Sequence, residues 1–227
     1  MWNLLLLHGA IGSIDQFNSL SKELSLEFLT YTFNFPGHGG EPIPQSGFSI
    51  QLFAEATLAF MDKNNLEKIS IFGYSMGGYV GLYLAKNFPE RIEKLFTLAT
   101  KWQWTLENAE RESKMLNPTI IKEKVPKYAD SMLQLHGAKW EILMEKTAAM
   151  MVELGANPTF KNSDFETIET PVLVGVGDKD VMVSLDETIQ VYRSLPNAQL
   201  LVMPNTTHPI DRINLRLLTC QIHSFFL

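Results

Sequence analysis

The pentapeptide GYSMG at 73–77 places Ser75 in the G-x-S-x-G pattern of an enzymatic nucleophile. The mostly apolar run 68–72 before it is typical of a strand, and the residues after Ser75 are typical of a helix. A strand that turns sharply into a helix projects its serine hydroxyl clear of the backbone, and glycines are needed where a Cβ would collide with neighbouring elements. A serine N-cap with incidental glycines is the alternative. We predict that Ser75 is a nucleophile.

A serine hydroxyl attacks a carbonyl only with a base within hydrogen-bond reach. His208 lies in NTTHPID, directly after the apolar run AQLLVMP, and so falls at the strand edge where Ser75 is presented. We predict His208 as the base, with a polar loop histidine as the alternative. The other histidines are predicted elsewhere. His223 lies within a helix, His136 at a helix end, His38 in a turn and His8 in the loop after the first strand.

The base in turn needs a carboxylate that orients it. The run VLVGVGDKD ends with two candidates, Asp178 and Asp180, both at the same edge of the expected sheet. Aspartate is common in turns for structural reasons, and Asp178 fits that role. We therefore favour Asp180 as the acid, and Asp178 stays open.

A tetrahedral intermediate also needs donors for its oxyanion. In LLLLHGAIGS, His8-Gly9 permits a close turn that can aim the backbone N–H of Ala10 into the site, opposite the N–H of Met76. A tight glycine turn without catalytic meaning is the alternative. The same run lacks the GxGxxG spacing and the lysine of a phosphate-binding loop.

The elements that must position these residues follow from the apolar pattern. Runs rich in β-branched and aromatic residues alternate with stretches long enough for helices, which predicts βαβ units and a parallel sheet covered on both faces. Sites in such sheets form at the carboxyl ends of the strands. The strands are predicted at 3–7, 28–35, 69–73, 94–99, 171–176 and 198–203, and the helices at 15–27, 49–64, 75–88, 185–194 and 209–226.

The connection between the strands at 94–99 and 171–176 is too long for a structureless loop. Helix-start signals at Thr105 and at Asn117-Pro118 indicate that it carries helices of its own, and Gly137 and Gly155 are candidate helix ends. We predict one domain over 1–227 with a helical cap inserted at 101–165.

The predicted cap is rich in methionine, a pliable apolar side chain that suits a substrate pocket. Five of the ten methionines lie there, although packing within the cap explains them equally well. Trp102 and Trp104 follow a strand end and are candidates for a pocket wall. We take Trp102, Trp104 and Met144 as candidate substrate contacts.

Composition limits the classes of partner. A net charge of −6 offers no basic footprint for nucleic acid or an anionic membrane. The single Cys220 excludes an intrachain disulfide, which fits the cytoplasm. No signal peptide and no membrane-spanning run is recognisable. We expect a small-molecule acyl substrate and neither a cofactor nor a metal, and the oligomeric state is open.

The chain resembles the α/β-hydrolase superfamily, in its small, cap-bearing, carboxylesterase-like branch. The order serine, acid, histidine is that of the superfamily. The chain departs from the superfamily's loop patterns at three positions: Asn34 replaces an aspartate, Ser184 replaces a proline and Thr207 replaces a glycine. None of these replacements removes a catalytic group. The resemblance rests on HG at 8–9, FPGHGG at 35–40, GYSMGG at 73–78, FPERI at 88–92, GDKDVMVS at 177–184 and His208.

This resemblance implies an α/β-hydrolase fold with a shortened, mostly or wholly parallel six-stranded sheet. It assigns Ser75 as nucleophile, Asp180 as acid, His208 as base, and the amides of Ala10 and Met76 as the oxyanion hole. The implied reaction is hydrolysis of a small carboxylic ester, thioester or lactone. A lyase or C–C bond hydrolase with the same triad, or a non-catalytic ligand receptor on this scaffold, stays open.

Overall fold

Six parallel strands form one sheet in the computed structural model, which describes residues 1–227. The strand order is β2-β1-β3-β4-β5-β6, and every neighbouring pair is parallel. The predicted six-stranded parallel sheet is therefore confirmed. The strands are β1 (Trp2–Leu7), β2 (Phe28–Thr32), β3 (Ile69–Tyr74), β4 (Ile92–Leu98), β5 (Val172–Gly177) and β6 (Ala198–Met203).

The helices cover both faces of the sheet. The first core cluster lies between one face and α2, α3 and α9, and the second lies between the other face and α1 and α10. The central strands β3 and β5 are buried at every residue, which explains their unbroken apolar runs. The helices outside the 101–165 segment are α1 (Asn18–Leu24), α2 (Ile50–Lys63), α3 (Met76–Asn87), α9 (Leu185–Ser194) and α10 (Leu215–Phe226).

Two helices are shorter than predicted. The first predicted helix begins as a 3₁₀ turn at Ile14–Phe17 and becomes α-helical only in α1. The last one begins at Leu215 because the Asn214 side chain accepts a hydrogen bond from the N–H of Leu217. Such a side-chain cap sets a helix start.

The 101–165 segment holds five α-helices between β4 and β5. Thr105 and Asn117 are N-caps and Gly137 is a C-cap, as predicted, while Gly155 is the penultimate residue of a helix that ends at Ala156. A Cβ on Gly155 would lie 2.6 Å from the Cβ of Ala109, so this glycine lets two helices approach closely. The five are α4 (Leu106–Ser113), α5 (Pro118–Lys124), α6 (Pro126–His136), α7 (Trp140–Ala156) and α8 (Asn162–Phe165).

Helix α3 starts against the carboxyl end of β1, with no room for side chains between them. A Cβ on Gly77 would lie 2.1 Å from the carbonyl oxygen of Leu7 and 2.8 Å from that of His8. A Cβ on Gly73 would lie 2.5 Å from the backbone of Gly78. These atoms belong to the backbone and cannot move aside, so the turn between β3 and α3 requires glycine at both positions.

We expect Gly77→Ala to lower the free energy of unfolding by more than about 3 kcal/mol, because the added methyl overlaps β1 backbone. Gly81→Ala on the same helix is the matched control. Its Cβ would meet side-chain atoms and no backbone, with the end of Leu95 the nearest at 2.6 Å. The gain in helix propensity, about 1 kcal/mol, offsets part of that cost. Urea denaturation measures both, and equal losses would contradict this account of the turn.

Candidate active site

Ser75 lies at the junction of β3 and α3 in a backbone conformation that non-glycine residues rarely adopt. Its φ is 52° and its ψ is −118°. The end of β4 holds it there: the N–H of Ser75 donates to the carbonyl of Leu98 at 2.8 Å, and the hydroxyl of Thr100 donates to the carbonyl of Ser75 at 3.0 Å. Strain of this kind persists only when the surroundings fix it, and it is common at functional sites.

His208 and Asp180 form a hydrogen-bonded pair at the same sheet edge. The Nδ1 of His208 lies 2.8 Å from the Oδ2 of Asp180, whose side chain is fully buried. The other oxygen of Asp180 accepts from the N–H groups of Met182 and Val183, at 2.8 and 2.9 Å. These donors fix the carboxylate, which in turn orients the imidazole.

Ser75 and His208 line the same cavity, without a hydrogen bond between their side chains. Hydrogen bonds between nucleophile and base are often long in structures without substrate and tighten in the reactive complex. The arrangement leaves Nε2 of His208, the nitrogen not used by Asp180, available to the cavity.

Asp178, the other candidate acid, bonds elsewhere. Its carboxylate accepts from the N–H of Thr206 at 2.9 Å, and its own N–H donates to the carbonyl of Met203. These backbone hydrogen bonds, from Thr206 first, hold the pKa of Asp178 below its usual range. The structure thus places Asp178 as a link between two loops and Asp180 beside the histidine.

Tyr74 holds the loop of His208, a role that the sequence analysis did not predict. Its hydroxyl donates to the carbonyl oxygen of His208 at 2.9 Å, and the two rings are 5.7 Å apart. Burial, reinforced by the charge of Asp180, raises the pKa of Tyr74, so the hydroxyl stays a donor. The residue beside Ser75 in sequence therefore also positions the loop of His208.

The backbone amides of Ala10 and Met76 are free to meet an oxyanion. Both residues line the cavity with Ser75, and neither N–H donates to another protein group. Met76 is the first residue of α3, where N–H groups lack partners within the helix. The helix N-terminus adds favourable potential for negative charge.

A histidine of the 101–165 segment holds the loop that carries Ala10. Nδ1 of His136 accepts the N–H of Gly39 at 2.9 Å, so Nε2 is the nitrogen that donates to the carbonyl of Ile11, also at 2.9 Å. Ile11 has a φ of 52°. The sequence pattern assigned His136 only to a helix end, because nothing local shows a contact that spans 125 positions.

His136 packs near two further buried histidines, His8 and His38. Burial lowers the pKa of His8 to about 4 and that of His38 well below its usual value, and it also lowers the pKa of His136. Both ring nitrogens of His8 form hydrogen bonds to backbone groups, one to the carbonyl of Gly9 and one to the N–H of Phe35. The three histidines are thus neutral structural groups.

Two cavities meet at the serine. The narrower one has a volume of about 60 Å³ and a mostly apolar wall, while the wider one has about 710 Å³ and continues along the residues after His208. Ester-like substrates have two arms, and the site offers a separate space for each. The residues that line both cavities are Ala10, Ser75, Met151, Met182 and His208.

Of the three candidate substrate contacts, the structure brings only Trp104 to the cavity. The indole of Trp102 stacks on Tyr79 at 5.8 Å within the core. Met144 is fully buried in a separate cluster with Trp140. It lies about two helical turns along α7 from Met151, which does line the cavity.

Three charged residues near the cavity carried no sequence signal. Lys101 and Glu112 form an ion pair on its wall. Glu187 accepts the N–H groups of Trp102 and Gln103 at 3.0 and 2.9 Å, and its other oxygen accepts the N–H of Ser184 at 2.7 Å. Ser184, the departure from the superfamily's proline, is the N-cap of α9.

No group of three or more His, Cys, Asp or Glu side chains is placed to hold a metal ion. None of the helices combines the length and the hydrophobicity required to traverse a bilayer.

Comparison with known proteins places this geometry in a family. The profile of the α/β hydrolase fold family matches residues 3–167. A Mycoplasma pneumoniae protein that carries the name esterase/lipase 3 is 27% identical in an alignment 201 residues long that covers 83% of this chain and 72% of that protein. A pimeloyl-[acyl-carrier protein] methyl ester esterase of Neisseria meningitidis is 25% identical in an alignment 223 residues long that covers 89% of this chain and 85% of that protein.

Solved structures share the fold. An esterase from Thermogutta terrifontis superimposes with a TM-score of 0.80 at 22% identity, over 99% of this chain and 89% of its own. At that identity the likeness concerns the architecture alone.

The neutral histidines make stability depend on pH. Below pH 6.5, the ordinary pKa of histidine, the unfolded chain binds protons that the folded chain does not bind. The free energy of unfolding therefore falls as the pH falls. For His8 the loss runs from pH 6.5 down to about 4 and amounts to about 2 kcal/mol by pH 5. We expect urea midpoints to drop between pH 7 and 5, and His136→Gln to make the drop shallower. An unchanged midpoint would refute the neutral state of these histidines.

Proposed function

We propose that this chain, which belongs to the α/β hydrolase fold family, hydrolyses a carboxylic ester through an acyl-enzyme on Ser75. The observation that carries the proposal is the strained turn that presents Ser75 to a cavity shared with the His208–Asp180 pair. The esterase names of similar proteins support the reaction class.

In the first half of the reaction, Oγ of Ser75 attacks the ester carbonyl while Nε2 of His208 removes its proton. The imidazolium is stabilised by the carboxylate of Asp180, which two backbone N–H groups hold in position. The carbonyl oxygen becomes an oxyanion between the N–H groups of Ala10 and Met76. Such donors act before the reaction begins and need no reorganisation.

In the second half, the tetrahedral intermediate collapses and the C–O bond to the alcohol breaks. His208 gives its proton to the leaving alkoxide, and the acyl group stays on Ser75. Water then enters, loses a proton to His208 and attacks the acyl carbon, and the acid leaves as Oγ regains its proton. Thioesters and lactones would follow the same path.

We assign the acyl arm to the narrow cavity and the alcohol arm to the wide one. The leaving alkoxide must lie beside His208, and the residues that follow it, Pro209 to Asp211, line the wide cavity. The narrow cavity has an apolar wall from α7, including Met150 and Leu154, which suits an acyl chain. The 101–165 segment would then be the predicted cap over the substrate.

Replacing the nucleophile tests the proposal directly. We expect Ser75→Ala to abolish both labelling by a fluorophosphonate and turnover of p-nitrophenyl esters, because no other group is placed to attack. Intact-mass measurement should show one adduct per wild-type chain and none on the variant. Measurable ester turnover by folded Ser75→Ala protein would contradict the acyl-enzyme mechanism.

The choice of acid is tested by a matched pair on one loop. We expect Asp180→Asn to lower kcat by about 10³-fold or more, since it disturbs the tautomer and the stabilisation of the imidazolium. Asp178→Asn is the control, and its kcat should stay within a few-fold of the wild type. The reverse ranking would assign the role to Asp178.

A further inference from the structure

The wall of the narrow cavity contains a charged pair where an alkyl chain would need only apolar groups. The cavity is lined by 14 residues, ten of them hydrophobic. Beyond Ser75 and His208, the two other polar residues are Lys101, shortly after β4, and Glu112, on α4 of the 101–165 segment.

The pair is close and largely shielded from solvent. Nζ of Lys101 lies 3.0 Å from Oε1 of Glu112, and the side chains are only 14% and 7% exposed. Lys101 also donates to the carbonyl of Met182 at 3.2 Å, and its ammonium lies 5.8 Å from the ring centre of Trp104. Both heads are therefore held in place at the cavity.

Burying such a pair does not itself favour the fold. The desolvation of two charges roughly cancels their attraction, and well-packed apolar residues often serve stability better. A further polar atom lacks a partner here: the indole Nε1 of Trp104, another wall residue, is buried without a hydrogen bond. Burying an unpaired donor destabilises the folded chain. A substrate group that accepts a hydrogen bond would satisfy it.

We propose that the Lys101–Glu112 pair binds an uncharged hydroxyl group carried on the acyl arm of the substrate. This inference rests on the ester hydrolysis proposed above and specifies its substrate class. The hydroxyl donates to the carboxylate of Glu112 and accepts from the ammonium of Lys101 or the indole of Trp104. A plain alkyl chain would exclude water from the ion pair without offering it a hydrogen bond, and it would leave the indole of Trp104 without a partner.

Charge balance selects a neutral group over an ion. Within the cavity wall the positive charge of Lys101 is compensated by Glu112, so a carboxylate meets repulsion from one and a cation from the other. Arg111 is 3.8 Å from Glu112 but is 69% exposed, and it does not line the cavity. Solvent screens most of its field.

The test compares esters that differ only in one hydroxyl. Wild-type protein is assayed with p-nitrophenyl esters of graded acyl length, each in three forms: plain, terminally hydroxylated and terminally carboxylated. A fourth set carries the hydroxyl on an aliphatic alcohol arm instead. At the acyl length that reaches the pair, we expect kcat/KM for the hydroxylated ester to exceed that of the plain ester by about tenfold or more.

The double variant Lys101→Met/Glu112→Leu removes both charges together, because a single change would leave one charge buried and unpaired. We expect it to lose the preference for the hydroxylated ester and to accept the plain ester better. Lys122→Met/Glu141→Leu removes an exposed lysine–glutamate pair of the same segment and is the matched control. It should keep the wild-type preference.

The outcomes separate the two proposals. Four results would each overturn the hydroxyl site. They are equal rates for plain and hydroxylated acyl esters, a preference for the carboxylated ester, a preference confined to the alcohol arm, and a preference that survives in the double variant. Fluorophosphonate labelling of Ser75 in the same samples reports on the hydrolase chemistry. Its absence would remove the proposed function, and the hydroxyl site with it.

Discussion

The close contact between the start of α3 and the carboxyl end of β1 determines the geometry of the whole site. Gly77 lies so close to the backbone of Leu7 and His8 that the helix cannot move nearer to the sheet and no side chain fits at this position. That contact sets the start of α3 beside Ser75, whose φ is positive, and places the amide of Met76 near the loop after β1, where Ala10 lies. Nucleophile and oxyanion donors are thus positioned by backbone packing, to which the side chains of Thr100 and His136 add hydrogen bonds.

Charge is distributed unevenly around this centre. On the side of the His8 loop, burial keeps the histidines neutral, and they serve as donors and acceptors for backbone. On the cavity side, the carboxylates of Asp180, Glu112 and Glu187 are each compensated by named donors. His208 combines a buried carboxylate partner with a second ring nitrogen on the cavity side, which is the arrangement that a general base requires.

The sheet, its parallel direction and the turn at Ser75 were predictable because they depend on local patterns: apolar runs, glycine spacing and capping residues. The residues alone favoured Asp180 over Asp178 as the partner of His208, and the resemblance assigned it. The role of His136 was not predictable, because its partner Ile11 is distant in sequence. Lys101 and Glu112 are close in sequence, but no local pattern shows that their side chains meet at a cavity. The stop signal at Gly155 did indicate the end of a helix, but not that the same glycine lets two helices approach closely.

The carboxylate of Glu187 joins parts of the chain that would otherwise move separately. It binds the amides of Trp102 and Gln103, where the chain leaves the sheet for the 101–165 segment, and it also binds Ser184, in the loop that carries Asp180. The outgoing connection and the acid loop therefore behave as one rigid joint. A displacement of the outgoing connection would therefore carry the acid loop with it and disturb the alignment of Asp180 with His208.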